Sequence, residues 1–293
     1  MIINTANLAD LFTAFNSAFG TGFRSAETYW QRIATVVPSS TAEEHYAWLG
    51  QFPKLREWVG DRHLKSMAAH DYSIRNKKFE STVEVGADKI EDDSFGVFTP
   101  LMAEMGYAAA THPDELVFSL LAQGTTELAY DGQNFFDTDH PVGDGVVSNV
   151  DTGGAGSFWY LLDDTRPLKP LIFQRRRDYA LRTMNAPDDE QVFMRDSYRY
   201  GVDARVNVGF GFWQQAFASN QALDATNYRA ARTALMEMKS DEGRPLGIRP
   251  RMLVVSPDNE GPALEITQAE RLANGATNIY RNTAEVVVVP WLS

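Results

Sequence analysis

Asp137, Asp139 and His140 are the residues of this chain whose types and spacing come nearest to a reactive centre. Two carboxylates and an imidazole within four positions could hold a divalent cation, with His112 or Asp131 completing the shell, as in a metal-dependent hydrolase. The spacing fits no established ligand signature, and the adjacent Asp139 and His140 converge on one ion only over a bent backbone. Asx-turn chemistry ahead of Pro141 accounts for the same residues without a ligand. The other histidines, His45, His63 and His70, are scattered, so no paired-histidine helix motif exists.

Other reactive patterns fail sooner. Gly153-Gly154-Ala155-Gly156-Ser157 is followed by no Gly-Lys-Ser/Thr and reads as a flexible linker rather than a phosphate cradle. Gly-x-Ser-x-Gly is absent, and with zero cysteines a thiol nucleophile is impossible. Gly209-Phe210-Gly211 is too short for a dinucleotide fingerprint, and Phe210, Phe212 and Trp213 read as core. Arg175, Arg176 and Arg177 with Arg182 form the only dense basic cluster, which reads as a solvated or acid-paired face ahead of a nucleic-acid or inter-subunit contact. No catalytic residue, cofactor or metal is expected.

The elements that would carry these residues follow from patterning. Leu8, Leu11, Phe12, Phe15 and Phe19 fall at helical spacing, with Asn4 or Thr5 as N-cap and Gly20 and Gly22 closing the segment. This short amphipathic arm covers its own core or docks on a neighbouring subunit. Trp30, Trp48 and Trp58, with Tyr46 and Phe52, mark a loop-rich aromatic region. Residues 71–85 alternate with period two, Asn76-Lys77 supplying a turn, and read as a β-hairpin with one face charged by Arg75, Lys78, Glu80 and Glu84. A lone hairpin is marginally stable in water, so it must lie on something. Helical spacing from Phe98 to Ala122, bent at Pro113 and capped at Gly124, predicts a rod of about 27 residues, or roughly 40 Å. Residues 141–157 read as a loop; 158–162, 170–173 and 200–210 read as strands. A helix through Tyr228, Ala231, Leu235 and Met238 precedes a buried strand at 252–255, a second helix and a terminal valine-rich strand at 286–289.

Composition narrows the class. At 293 residues and 44% hydrophobic content the chain can fill a core without staples. The absence of cysteine suits a reducing cytoplasm. The first residues lack a basic signal region, and no apolar run approaches the roughly 20 residues of a membrane helix. A net charge of -12 repels phosphate at long range and argues against a reader of duplex DNA.

The order of the C-terminal segments resembles the major capsid proteins of tailed bacteriophages: a helix, an acidic-Gly turn, Pro245-Leu246-Gly247-Ile248-Arg249-Pro250, an aliphatic strand, and Val286 through Pro290-Trp291-Leu292. Asp131-Gly132-Gln133-Asn134-Phe135-Phe136 with His140-Pro141 resembles the Mu-like prophage major head subunit, the gpT family. Ile90-Glu91-Asp92-Asp93, Trp159-Tyr160-Leu161-Leu162-Asp163, Lys169-Pro170 and Tyr200-Gly201-Val202-Asp203-Ala204-Arg205 match that family too. The resemblance covers nearly the whole chain and implies an α+β, Hong Kong 97-type capsid fold with N-arm, E-loop hairpin, spine helix, P-domain and A-domain.

On that resemblance the chain divides into an N-terminal arm (1–48), an E-loop region (49–93), a spine helix and P-domain (94–140), a crossover loop (141–157), P-domain strands (158–220) and an A-domain with a terminal valine-rich strand (221–293). One departure stands out: Trp159 to Leu162 precede the valine-rich strand, which implies a reordered connection between A- and P-domains through the crossover loop. The implied role is a head protein made in a bacterial cytoplasm that assembles with itself, as hexamers and pentamers, into an icosahedral virion shell. Scaffold and portal proteins would be partners, and double-stranded DNA would be enclosed without sequence-specific binding. A container needs no attraction to what it encloses, so the acidic charge is no obstacle. Arg62, Lys65, Arg75, Lys77, Lys78 and Glu84 are the candidate contacts between subunits. An encapsulin-like nanocompartment, the metal-dependent hydrolase, and a tail or adaptor component are the rivals.

Overall fold

Two prolines lie inside the longest helix and neither ends it. The computed structural model describes residues 5–50, 72–92, 95–186, 189–271 and 275–292. Its helices are α1 (Thr5–Ser25), α2 (Trp30–Ile33), α3 (Ala87–Glu91), α4 (Phe95–Ala122), α5 (Glu190–Arg195), α6 (Ala225–Met236) and α7 (Glu260–Gln268). The rod is α4: 28 residues, about 42 Å, containing Pro100 and Pro113. A helix-interior proline costs about 3 kcal/mol through its missing N–H and its ring. Burial of Met102, Met105, Val117, Phe118 and Leu121 outweighs that, at about 1.5–3 kcal/mol for each fully buried side chain. Gly124 lies in a short 3-10 turn and serves close packing: a Cβ there would stand 2.5 Å from the Phe136 ring.

The first correction concerns Gly20 and Gly22. They do not close the N-terminal helix, which runs through both to Ser25. Gly22 is instead the point where α1 crosses α4. A Cβ on it would lie 1.8 Å from the Ala103 carbonyl oxygen, and one on Gly106 would lie 2.1 Å from that of Phe19. The two backbones therefore touch, and only glycine permits it. With the helices so close, Leu8, Leu11 and Phe15 bury against Met102, Val85, Tyr198 and Tyr200, and Phe15 meets Tyr200 edge to face at 4.9 Å. The apolar stripe covers its own core.

The strands are β1 (Ala34–Pro38), β2 (Glu43–His45), β3 (Ser73–Arg75), β4 (Lys77–Gly86), β5 (His140–Val142), β6 (Gly145–Val147), β7 (Val150–Asp151), β8 (Trp159–Leu162), β9 (Leu171–Met184), β10 (Ser197–Phe210), β11 (Ala216–Ser219), β12 (Met252–Val255) and β13 (Glu285–Val288). One sheet has the order β1-β9-β10-β4, a second β13-β12-β8-β11-β7, with two small ribbons, β2-β3 and β5-β6. Residues 71–85 are therefore not a hairpin. Asn76 does interrupt the extended run, but β3 pairs with β2 while β4 pairs with β10 along its whole length. Asn76 is buried and donates through Nδ2 to Ser39 Oγ (2.8 Å) and the Thr41 carbonyl (2.9 Å), holding the divergence point.

Residues 141–157 are also more ordered than a linker. They contribute most of the β5-β6 ribbon and all of β7. The glycine run is tied down by Gly154 N–H on Asn220 Oδ1 (2.9 Å) and Gly156 N–H on the Asn220 carbonyl (3.1 Å). The unusual strand order finds its place here: β8 is the central strand of the five, separated from β13 by β12 alone. All four residues of β8 and all four of β12 are buried, as continuous apolar runs require. The sheets do not part at residue 220, since β8 and β11 from one side of that position share a sheet with β12 and β13 from the other. Gly247, at φ +66, lets both Leu246 and Ile248 turn inward, which is the physical content of the Pro-Leu-Gly-Ile segment.

Asp114, just after Pro113, is buried within α4 and accepts from the N–H groups of Tyr29 (3.1 Å) and Trp30 (2.7 Å), so the rod carries the cap of α2. Burial pushes its carboxyl up to about 6 against the opposing pull of the Trp30 and Tyr29 amides. The folded chain thus holds an extra proton between about pH 4 and about pH 6, and stability from this group falls as pH rises through that window. Asp114→Asn should flatten that slope in urea unfolding midpoints measured from pH 4 to 7; an unchanged slope would assign it to other groups. Gly22→Ala should cost about 1–3 kcal/mol by backbone overpacking even though alanine gains about 1 kcal/mol of helix propensity, whereas Gly20→Ala, which meets only the Arg24 side chain, should be neutral or stabilising. Thermal melts of the two variants side by side check the crossing.

Candidate assembly surface

Asp137, Asp139 and His140 do not form a reactive site. His140 is fully buried at the start of β5, its Nδ1 2.7 Å from Asp131 Oδ2 and its Nε2 3.2 Å from Asn149 Oδ1. Its ring stacks on Trp213 at 3.8 Å between centroids and 10° between planes. Both ring nitrogens are consumed within the chain. Asn149 is itself fixed, donating to the Phe135 carbonyl at 2.8 Å and accepting from Asp137 N–H at 2.9 Å. Partial burial raises the Asp137 carboxyl, but hydrogen bonds from the Thr138 and Asn134 amides help to reverse this and leave it below the usual range. These are the Asx-type contacts expected of a turn. His112 is engaged elsewhere, with Tyr179 OH at 2.5 Å and the Phe79 ring edge-on at 4.4 Å. Among the described residues no three His, Cys, Asp or Glu side chains gather to hold a metal. The cluster is a structural lock between the loop after α4 and the turn joining β10 to β11.

That lock sets a contrast. His140→Ala strands the Asp131 carboxylate and Asn149 in the interior and should cost on the order of 3 kcal/mol, while the exposed Asp139→Ala should change stability by less than about 0.5 kcal/mol. Chemical denaturation of both variants, with metal content by plasma emission, reads the difference; equal effects would contradict a structural role.

Among the described residues, charged side chains gather on the face of the β1-β9-β10-β4 sheet opposite α1 and α4 and on the adjoining β2-β3 ribbon. Of the residues expected as contacts between subunits, Arg75 lies exposed at the end of β3, and Lys77 and Lys78 are exposed at the start of β4. Glu84 is already engaged: it accepts from Arg199 Nε and Ser197 Oγ, each at 2.9 Å, and the Arg199 guanidinium holds its carboxyl below the usual range. Arg62 and Lys65 lie outside the described residues. The basic cluster is largely acid-paired. Arg175 bonds Asp178 at 2.9 Å, Arg182 bonds Asp203 at 2.6 Å, and Arg177 shares Asp203. Two β-bulges opposite Arg205 add residues to β9 and set three arginines in succession at one level of the sheet. Alternation and composition gave no warning of those bulges, because they are defined by pairing with a strand some 30 residues on.

A second exposed feature is α5, at the turn between β9 and β10. Val192 packs inward beside Leu181, but Phe193 and Met194 are 82% and 70% exposed. Such a knob has no purpose in burying the chain's own core; it presents an apolar surface outward.

A long helix backed by a twisted sheet, with a second sheet and uncommitted charged and apolar edges, is the architecture of shell-forming capsid subunits. The chain is similar to the subunit in the procapsid of bacteriophage JBD30, with a TM-score of 0.89 and 50% identity over 99% of this chain and 100% of that one. Against the JBD30 capsid the TM-score is 0.80, with 38% identity over 100% of both chains. The fold is thus the Hong Kong 97-type expected. The chain belongs to the Mu-like prophage major head subunit gpT family, whose model matches residues 8–292. It is 45% identical over 271 residues to the Mu-like prophage FluMu major head subunit of Haemophilus influenzae, covering 89% of this chain and 88% of that protein. It is 40% identical over 305 residues to the major capsid protein of Escherichia phage Mu, covering 100% of both.

Proposed function

We propose that this chain is the major head subunit of a Mu-like phage or prophage, assembling with itself into the closed icosahedral shell of the virion around double-stranded DNA. The observation that carries this reading is the end-to-end likeness to a procapsid subunit at 50% identity. Its physical logic is multivalency. Each contact between subunits can be modest, because once one is made the others act at high effective concentration. Heterologous contacts repeated by rotation close into rings of five and six. Arg75, Lys77 and Lys78 act as contacts between subunits, joined in this role by Arg62 and Lys65. Scaffold and portal proteins direct the assembly, and duplex DNA enters without sequence-specific recognition. JBD30 capsids occur decorated with minor capsid protein trimers, and a similar trimer is a natural partner for the outside of this shell.

The hydrolase reading loses its support with both nitrogens of His140 occupied. A nanocompartment shell would use the same fold and differ only in holding protein cargo. Purified full-length protein, with and without a coexpressed scaffold, should form closed shells in negative-stain electron microscopy, and particles from infected or induced cells should contain duplex DNA. Open tubes or rings would point to a tail component, protein cargo to a compartment, and a persistent monomer with every partner supplied would end the reading.

A further inference from the structure

The long sheet is charged with opposite signs at its two ends. Cross-strand register puts Lys78, Arg205 and Arg177 directly opposite one another on three neighbouring strands. Side chains so paired point to one face, about 4.8 Å apart from strand to strand, and like charges in that arrangement repel. Arg177 is neutralised by Asp203, which also serves Arg182. Glu80, the nearest acid on β4, is occupied by the Thr82 hydroxyl at 2.8 Å. Among the described residues Lys78 and Arg205 have no acid partner, and the enclosed Nε of Arg205 finds no acceptor.

At the other end, about 25 Å away by the rise of eight β10 residues, the polarity reverses. Glu190 begins α5 with Asp189 before it, Asp196 follows, and Asp88 in the first turn of α3 and Asp92 at its end lie beside the strand end. Lys89 and Arg195 are the opposing cations there. Phe193 and Met194 project from the same knob.

We infer that copies of this chain join head to tail through this sheet, the acidic α5 knob of one seating its Asp189 and Glu190 on the Lys78–Arg205–Arg177 row of the next. The inference rests on the self-assembly reading above and supplies it with a partner surface. A second copy is favoured over duplex phosphate because the chain itself carries the acidic knob, and its exposed Phe193 and Met194 offer apolar contact that phosphate has no use for. The contact is heterologous, so it repeats under rotation. Cations with no acid partner among the described residues gain one in such a contact, which makes it sensitive to salt.

Full-length protein carrying Lys78→Glu with Arg205→Glu, or Asp189→Lys with Glu190→Lys, should each lose about tenfold in assembled fraction by velocity sedimentation at low salt, and the four changes together should restore it. Lys78→Glu alone, at an exposed position, covers a failure of the double variant to fold, which circular dichroism detects. Zero-length carbodiimide coupling in wild-type assemblies should link Lys78 to Glu190 between chains. Assembly unchanged in both charge reversals, folded variants that the combined swap fails to restore, or the absence of the cross-link would overturn the contact. So would row variants that assemble normally yet lose retained duplex DNA, which would make phosphate the partner. Wild-type protein that never closes into shells but still yields the link would sink the head-subunit reading and leave the contact standing.

Discussion

Everything in this molecule is arranged around the place where α1 and α4 touch backbone to backbone at Gly22 and Gly106. Because no side chain separates them there, the two helices lie as one close-packed layer and together cover one face of the β1-β9-β10-β4 sheet. That layer absorbs Phe15, Phe19, Val85, Tyr200 and Val202. Among the described residues the opposite face carries the β2-β3 ribbon over Gly209 and Asn207 at one end and charged side chains of β4, β9 and β10 beyond it. A sheet with one face buried and one charged is stable as a monomer and still has a surface to offer, which is what a subunit of a larger object requires.

The two sheets meet where α2 feeds β1. Arg32 on α2 bonds Asp164, beyond β8, at 2.6 Å and Glu285, at the head of β13, at 2.7 Å. Asp163 next door is buried and accepts from Thr165 N–H and Arg249 N–H, each at 2.9 Å. Asp114 reaches from α4 to the same α2 turn. Helix α4, the four-stranded sheet and the five-stranded sheet are thus tied together at α2 by charge-assisted hydrogen bonds in addition to their apolar contact. These polar ties sit at the edge of one continuous apolar core that both sheets share, through Leu171, Ile172 and Phe173 on one side and Leu161, Leu162 and Leu253 on the other.

Much of this was legible in the residues, and what was not has a common cause. Helical spacing located α1, α4 and α6, and continuous apolar runs marked β8, β12 and β13 as strands, because those signals are local. The ends of α1 were misjudged because a glycine's meaning depends on what approaches it: Ala103 is some 80 positions away in sequence. Alternation correctly marked β3 and β4 as strands and gave them the wrong partners, since pairing with β2 and β10 is decided by packing rather than pattern. The second half of β9 was missed because Arg175 to Arg182 look like a solvated charge run, and they form a strand only against β10. Among surface residues, Arg75, Lys77 and Lys78 are exposed, Glu84 is engaged by Arg199, and Arg205 becomes visible only through register.

The same non-local wiring governs how the chain comes into being. Leu8, Leu11 and Phe15 complete their burial only when Tyr198 and Tyr200 arrive, and β1 waits for β9 across more than a hundred residues. On the ribosome the apolar stripe of the first helix is thus made early and sheltered late. Topologies with such distant partners fold slowly and expose sticky surface while they wait. In a newborn chain of this kind the apolar cover of the first helix is completed only after residue 200 has been added.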